Sequence, residues 1–507
     1  VTNPWKPLDP LELPPDDAMG MLSTTVMPGE RRALALNVRG TSSGHTSIGI
    51  RISLAGLRSD ALQIYQVNWT GNDLGDWVAA ELEWLGDASA EQQVSLLPGV
   101  TRQIWIQVQP EVAASAGRFF GSVSLSAADG VAKEVPIQIK ILNTPFPRPS
   151  MHFGGWDYSV GFDNYAVGEA NRAQFVAYLR ERYVDTPWAQ SVVMNWKSLD
   201  ADGNITYPLD TSALARWLSA WPDARRFRVY LEVGDKIGTI PTADERFAAV
   251  VAGWATAWAA EIRRLNKSPE QFDLLLVDEP QTAEQFRTTE RWARAIRQSG
   301  AGFRIWTDLA QQDPVQLPEN LLEVVDTVAI NLRYAEHRPT AHETWSQSLS
   351  QKGKAIEVYA FDGPARRLDP YAYYRLTPWR AFFMGATAVS FWSFADTGGS
   401  PSDNEFAAND YNYSPLYIGR ELVRPGKHME AAAEGIQDTQ YLRMLKNVAA
   451  THPSEGVRLR ANELLDQAST FIHESASSSK SQWRFQQEAS EADRQRMEIG
   501  EFLDSIG

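Results

Sequence analysis

The chain has 507 residues, no cysteine and a formal charge of −15 from 48 basic and 63 acidic side chains. Its length exceeds what one hydrophobic core supports and implies two or three domains. The acidic balance disfavours nucleic acid and anionic membrane surfaces as partners, and zero cysteine excludes disulfides and thiolate metal sites and argues against a cysteine nucleophile.

Hydrophobic residues make up 43% of the chain, and no apolar run reaches membrane-spanning length, so no membrane insertion is expected. The opening VTNPWKPLDP reads as a mature or trimmed start from which an export signal has been removed. Together with the lack of cysteine this fits a bacterial protein that is secreted, periplasmic or held at the cell envelope.

From about residue 20 to 143, short runs alternate apolar and polar residues with period two: RALALNVRG (32–40), SIGIRISLAGL (47–57), RQIWIQVQP (102–110) and GSVSLSAADGVAKEVPIQIKIL (121–142). The last run folds back at Asp129-Gly130, a hairpin signal. Several such strands over this span predict an immunoglobulin-like β-sandwich, residues 1–148. NTPFPRPS (143–150), with three prolines in eight residues, marks the boundary.

The rhythm then changes to strands alternating with long amphipathic stretches. Eight strands can be assigned: 152–157, 191–196, 227–233, 272–278, 303–309, 326–332, 355–361 and 388–394. Eight βα units predict a (β/α)8 TIM barrel over 149–420; a six- or seven-stranded open sheet is the competing count. Residues 421–507 read as a C-terminal helical extension, with HESASSSKSQ (473–482) as a solvated linker. The chain is thus a multidomain α/β protein.

Leu274 to Gln281, LLLVDEPQ, carries the densest signal. An unbroken apolar run fits a strand buried on both faces, and it ends in Asp278, Glu279 and Pro280. Carboxylates there lie at the carboxyl end of the fourth strand, the face on which barrels build active sites. Pro280 predicts extended geometry at Glu279. Thr282 and Gln285 form a capping-box pattern for a helix that Gly300 closes.

Reading the other strand ends adds Trp156, Asp157, Asn195, Trp196, Trp306, Asp308, Asn331, Tyr334, Tyr359, Asp362 and Trp392 as substrate-binding candidates. Acids with aromatic faces suit glycosidic chemistry: one acid protonates the leaving oxygen, and a second group stabilises the oxocarbenium-like centre. Adjacent carboxylates repel, which tends to hold one proton on the pair and suits one member to general-acid work. A solvated turn is the bland alternative for a lone Asp-Glu pair, and core filling is the bland alternative for most of the 18 tryptophans. Glu357 lies only three residues into the seventh strand, too deep for a nucleophile. A missing strand-seven nucleophile beside two adjacent acids on strand four favours attack by the sugar's own 2-acetamido oxygen.

An N-terminal sandwich, VDEP after the fourth strand and the tail RPGKHMEAAAEGIQDTQYLRML together resemble glycoside hydrolase family 123 and its wider relatives, the domain of unknown function 4091. The resemblance spans about residues 20 to 450. It implies a retaining β-N-acetylhexosaminidase or galactosaminidase with Glu279 as acid/base and Asp278 orienting the acetamido group. Matched by strand position, Tyr334 would hydrogen-bond the acetamido carbonyl. The tail acids Glu430, Glu434 and Asp438 read as structural, pairing with Arg424 or Arg443.

The expected partner is therefore an oligosaccharide or polysaccharide, with no cofactor. None of the seven histidines sits at metal-ligand spacing, so no metal site is expected. DTGGSPSDNE (396–405) reads as a binding loop over the mouth more simply than as a calcium site. The competing functions are a glycosidase on a bacterial polysaccharide that pairs Glu279 with Asp308 or Asp362, and a non-catalytic carbohydrate-binding protein.

Overall fold

The computed structural model describes residues 1–12, 20–40, 46–127, 130, 132–160, 166–310, 318–397, 412–475, 482–483 and 489–507. Nine strands come first: β1 (Leu22–Val26), β2 (Arg32–Arg39), β3 (Thr46–Leu54), β4 (Leu62–Gly71), β5 (Trp77–Asp87), β6 (Gln92–Leu96), β7 (Thr101–Val108), β8 (Gly117–Ala127) and β9 (Ala132–Ile141). They form a five-stranded sheet ordered β1-β9-β8-β3-β6 and a four-stranded sheet ordered β2-β7-β4-β5. Alternate residues of both sheets, such as Ile50 and Ile139 from one and Ile64 and Ile106 from the other, share one core. The expectation of a sandwich thus holds as two packed sheets. β8 and β9 pair antiparallel from Gly117↔Ile141 to Ser126↔Ala132, as a hairpin at residues 129–130 requires, although Asp129 itself lies outside the described residues.

Eight parallel strands then close into a barrel: β10 (His152–Gly155), β11 (Thr186–Gln190), β12 (Phe227–Tyr230), β13 (Phe272–Leu275), β14 (Arg304–Leu309), β15 (Thr327–Asn331), β16 (Ala355–Ala360) and β17 (Ala388–Phe391). Closure comes from β17 pairing with β10, His152↔Ala388 through Gly155↔Phe391. Gly154 and Gly155 are there because the neighbouring strands come so near. A Cβ on Gly154 would lie 2.6 Å from the Thr186 carbonyl oxygen, and one on Gly155 would lie 2.5 Å from that of Phe391.

Seven of the eight strands fall where expected. The second does not: it is TPWAQ, and residues 191–193 form a single 3-10 turn after it. Pro187 cannot donate to a ladder, which masks a central strand in the sequence. In the SVVM run that follows, Val193 and Met194 are buried and Val192 is exposed.

Eleven helices are described: α1 (Glu169–Glu181), α2 (Ser212–Ala220), α3 (Phe247–Arg264), α4 (Ala283–Gln298), α5 (Glu319–Val324), α6 (Leu332–His337), α7 (Pro339–Gln351), α8 (Leu376–Phe383), α9 (Lys427–Thr451), α10 (Glu455–Glu474) and α11 (Glu491–Ile506). No described helix is long and apolar enough to cross a membrane.

Every residue of α9 from Lys427 to Leu442 is buried, its polar ones included. This is an interior helix whose carboxylates are neutralised by neighbours instead of solvent. Glu434 meets Arg32 at 3.3 Å and Arg375 at 3.2 Å, and Asp438 meets the same two at 2.7 and 2.9 Å. Glu430 pairs with Arg182 at 2.9 Å and Arg31 at 3.6 Å. The expected partners Arg424 and Arg443 are therefore corrected; Arg424 is engaged with Glu81 at 2.9 Å. Arg31 and Arg32 come from the sandwich and Arg375 from the barrel, so α9 ties both units together. Spacing along α9 could not name partners hundreds of residues away.

Candidate active site

Side chains at i and i+2 of a strand share a face, and alternate barrel strands supply a common layer. Arg228 of β12, Trp306 of β14 and Glu357 of β16 occupy one interior layer. Arg228 donates to both Glu357 oxygens at 2.8 and 2.7 Å, and Trp306 Nε1 and Ser390 Oγ donate to the same carboxylate at 2.8 and 2.9 Å. The guanidinium lies over both the Trp188 and Trp306 rings, at 4.4 and 4.1 Å from their centroids. Glu357 is thus fully engaged in the barrel floor, as its depth in the strand suggested. Trp306 is corrected: at 0% exposure it roofs an ion pair and cannot stack on a ligand.

Two residues further along the same strands stand Tyr230, Asp308 and Tyr359, one layer higher. Between them rises the tip of β13. The buried run ends at Leu276, Val277 is half-buried, Asp278 is exposed and Glu279 is half-buried. Glu279 adopts φ +41, so the extended geometry expected ahead of Pro280 is overturned. Its backbone N–H instead donates to Asp308 Oδ1 at 2.9 Å. Left-handed backbone at a non-glycine residue costs about 1–3 kcal/mol and persists where surroundings over-determine it. Beyond the turn, Gln285 N–H donates to Thr282 Oγ1 at 3.2 Å, the capping box is complete, and Gly300 at φ +62 follows the end of α4.

The Tyr359 hydroxyl donates to Glu279 Oε1 at 2.5 Å. Burial raises the pKa of the Glu279 carboxyl, the Tyr359 hydrogen bond opposes that rise, and the Asp278 charge adds to it. Asp308 is wholly buried. Burial first, then the charge and hydrogen-bonding contact of Asp278, push its pKa well above the usual carboxylate range. The site therefore joins three carboxyls and a tyrosine with a proton to place among them.

Other candidates have different employment. Asp157, at 0% exposure, accepts the N–H groups of Ser159 at 2.8 Å and Trp188 at 2.6 Å. It splices the ends of the first two strands, and burial lifts its pKa to about 6. Asn195 accepts Lys197 N–H at 2.9 Å in a local turn. Trp196 packs on Trp254 and Trp292, with ring centroids 4.3 and 5.2 Å away, among α3 and α4. Asn331 caps α6 through Arg333 N–H at 3.1 Å and is buried, its amide beside the Tyr359 hydroxyl. Asp362 is ion-paired to Arg333 and nearly buried. Tyr334 is half-buried in the first turn of α6. Trp156 lies against Trp188 with centroids 3.6 Å apart, leaving Trp392, half-buried and 5.2 Å from Trp156, as the aromatic nearest the rim of this cluster. The loop at 396–405 falls largely outside the described residues.

Tyr230 was not among the candidates. Its hydroxyl is pushed upward by burial and by the nearby Asp278, Glu232 and Asp308. Parity with Arg228 would have found it.

A closed (β/α)8 barrel behind a two-sheet sandwich, with acids on the fourth and fifth strand tips, defines the architectural class. The chain shares that fold with the solved structure of a family 123 glycoside hydrolase from Clostridium perfringens, described in connection with glycolipid glycan hydrolysis. The TM-score is 0.71 at 13% identity, covering 96% of this chain and 95% of that one. A xyloglucanase from Bacteroides ovatus (TM-score 0.36, 8% identity, 82% and 98% coverage) and an endo-β-N-acetylglucosaminidase from Cordyceps militaris (0.34, 14%, 57% and 92%) are more distant, and at those scores carry no argument. No protein-family model matches the chain, and no curated protein matches it by sequence.

Proposed function

We propose that the chain is a glycoside hydrolase that cleaves β-linked glycans containing 2-acetamido sugars, with retention through substrate assistance. The observation that carries this reading is the strand-four tip, where a half-buried Glu279 with a raised pKa sits beside an exposed Asp278. Glu279, protonated, gives its proton to the glycosidic oxygen as the bond to the anomeric carbon breaks. The acetamido carbonyl oxygen attacks that carbon from the opposite face, and Asp278 accepts the acetamido N–H. Water then attacks the anomeric carbon, displacing the acetamido oxygen and losing a proton to the Glu279 carboxylate, and this second inversion restores the β configuration.

The other acids support this choice over a conventional nucleophile. Glu357 is spent on Arg228, and Asp362 on Arg333. Asp308 is buried beneath the pair. The fold neighbour's description as a family 123 glycoside hydrolase favours the same class.

The test is a panel of aryl β-glycosides with wild type and Glu279→Gln. Acetamido-sugar substrates should be hydrolysed by wild type, with a loss of about 10²–10⁴ in the variant. A thiazoline of the acetamido sugar should inhibit. Full activity of Glu279→Gln would end the proposal; hydrolysis without thiazoline inhibition, and with Asp278→Asn unimpaired, would leave a glycosidase that uses an enzyme nucleophile.

A further inference from the structure

Asp308 grips both members of the strand-four pair, and its two oxygens do so in different ways. Oδ1 accepts the Glu279 N–H at 2.9 Å, the role of the carbonyl-type oxygen, which is the stronger acceptor of a carboxyl group. Among the described residues Oδ2 is buried with no donor directed at it, and the Asp308 carboxyl is in hydrogen-bonding contact with that of Asp278. Two carboxylate oxygens at that range repel unless one carries hydrogen. The side chain is fully buried, whereas Asp278 reaches solvent. The proton therefore belongs on the inner partner, where desolvation penalises charge most.

Among the described residues, the titratable groups facing Asp308 are Asp278 and Glu279 from the tip of β13, Tyr230 from β12 and Tyr359 from β16. None supplies positive charge. Arg228, in the layer below, is occupied by Glu357.

We infer that Asp308 is a neutral positioning residue: its Oδ2–H donates to Asp278 while its Oδ1 holds the Glu279 backbone, so that one carboxylic acid aims both acids of the pair. This rests on the hydrolase reading and adds to it a residue that touches no substrate. It also removes Asp308 as a charged second carboxylate. The hydrogen bond leaves an Asp278 oxygen free to accept the incoming acetamido N–H, yet prevents its side chain from swinging away from the mouth.

An amide has the same donor and acceptor pattern as a protonated carboxyl, so Asp308→Asn is a close mimic of the inferred state. It should keep kcat/KM on an aryl acetamido-glycoside within about tenfold of wild type, while Asp308→Ala should lose about a hundredfold, the scale on which second-layer supports act. If Asp308→Asn falls as far as Glu279→Gln while remaining folded by circular dichroism, Asp308 acts as a charged carboxylate and the inference is wrong. If Asp308→Ala is as active as wild type, no positioning role exists.

A second arm does not depend on activity. The infrared difference spectrum of wild type minus Asp308→Asn at pH 8 should contain the carbonyl band of a protonated carboxylic acid. Its absence overturns the inference even if Asp308→Ala fails to fold. Its presence in an inactive wild type would instead place the failure on the hydrolase reading.

Discussion

The Tyr359 hydroxyl reaches across the barrel mouth from β16 to Glu279 Oε1 at 2.5 Å, tying the seventh strand to the acid on the fourth. A donor to a carboxylate favours its charged form. Tyr359 thus limits how far burial lifts the Glu279 pKa, and it fixes which oxygen remains for a glycosidic partner. Tyr359→Phe should lower kcat/KM about tenfold, the worth of one hydrogen bond to a charged group. Because the group that favoured the charged form is gone, the alkaline limb of the pH–rate profile should move upward. A downward move would show that Tyr359 favours the acid form instead.

The floor beneath the site is expected to matter for stability. Arg228 and Glu357 are each about 1% exposed, so removing one leaves the other charged in a dry interior. Arg228→Leu should destabilise the barrel by about 3–5 kcal/mol, visible as an earlier urea transition monitored by tryptophan fluorescence. The double change Arg228→Leu with Glu357→Leu should recover part of that loss, because no uncompensated charge remains.

The seam around α9 predicts a pH dependence. Four carboxylates, Glu30, Glu434, Asp438 and Asp493, face three guanidiniums, Arg32, Arg375 and Arg496. Burial, with the nearby Asp493 and Asp438 charges, pushes Glu434 up to about 7 from its ordinary 4.5, against the pull of Arg375 and Arg32. The folded state then binds more protons than the unfolded chain between those pH values. The stability this contributes is fully present below pH 4.5 and is lost as pH rises through about 7. Glu434→Gln should gain thermal stability relative to wild type as pH is raised from 5 to 8. A difference that does not vary over this range would rule the linkage out.

Lys427 has the opposite sign. It is fully buried, its ammonium donates to the Gln103 amide oxygen at 2.5 Å and faces the Trp105 and Trp483 rings at 5.8 and 6.0 Å from their centroids, and burial lowers its pKa to about 7. The unfolded chain holds the proton more tightly, so the cost of burying the charge grows as pH falls from about 10 toward 7. Lys427→Met should raise the melting temperature at pH 7, with the gain shrinking by pH 10. Calorimetry of both proteins at the two pH values checks this.

Much of the architecture could be read from local pattern, because strands and caps are made by neighbours in the chain. Seven barrel strands, the Thr282–Gln285 cap and the acids at the tip of β13 each depend on a few consecutive residues. The depth of Glu357 also followed from its place within a strand. The second strand escaped because Pro187 disguised it.

What side chains do at the mouth was settled only by tertiary structure. Residue type made Trp306, Asp157 and Asn331 resemble ligand contacts, yet the barrel turns them inward to satisfy a floor carboxylate, two backbone donors and a helix cap. Asp308 beside Asp278, Tyr359 on Glu279 and the arginines around α9 bring together residues from distant segments. No local periodicity encodes them, since strand order and barrel closure decide which faces meet. Sequence alone determined where the acids leave the fourth strand; packing of the whole barrel decided their protons, their partners and the left-handed turn at Glu279.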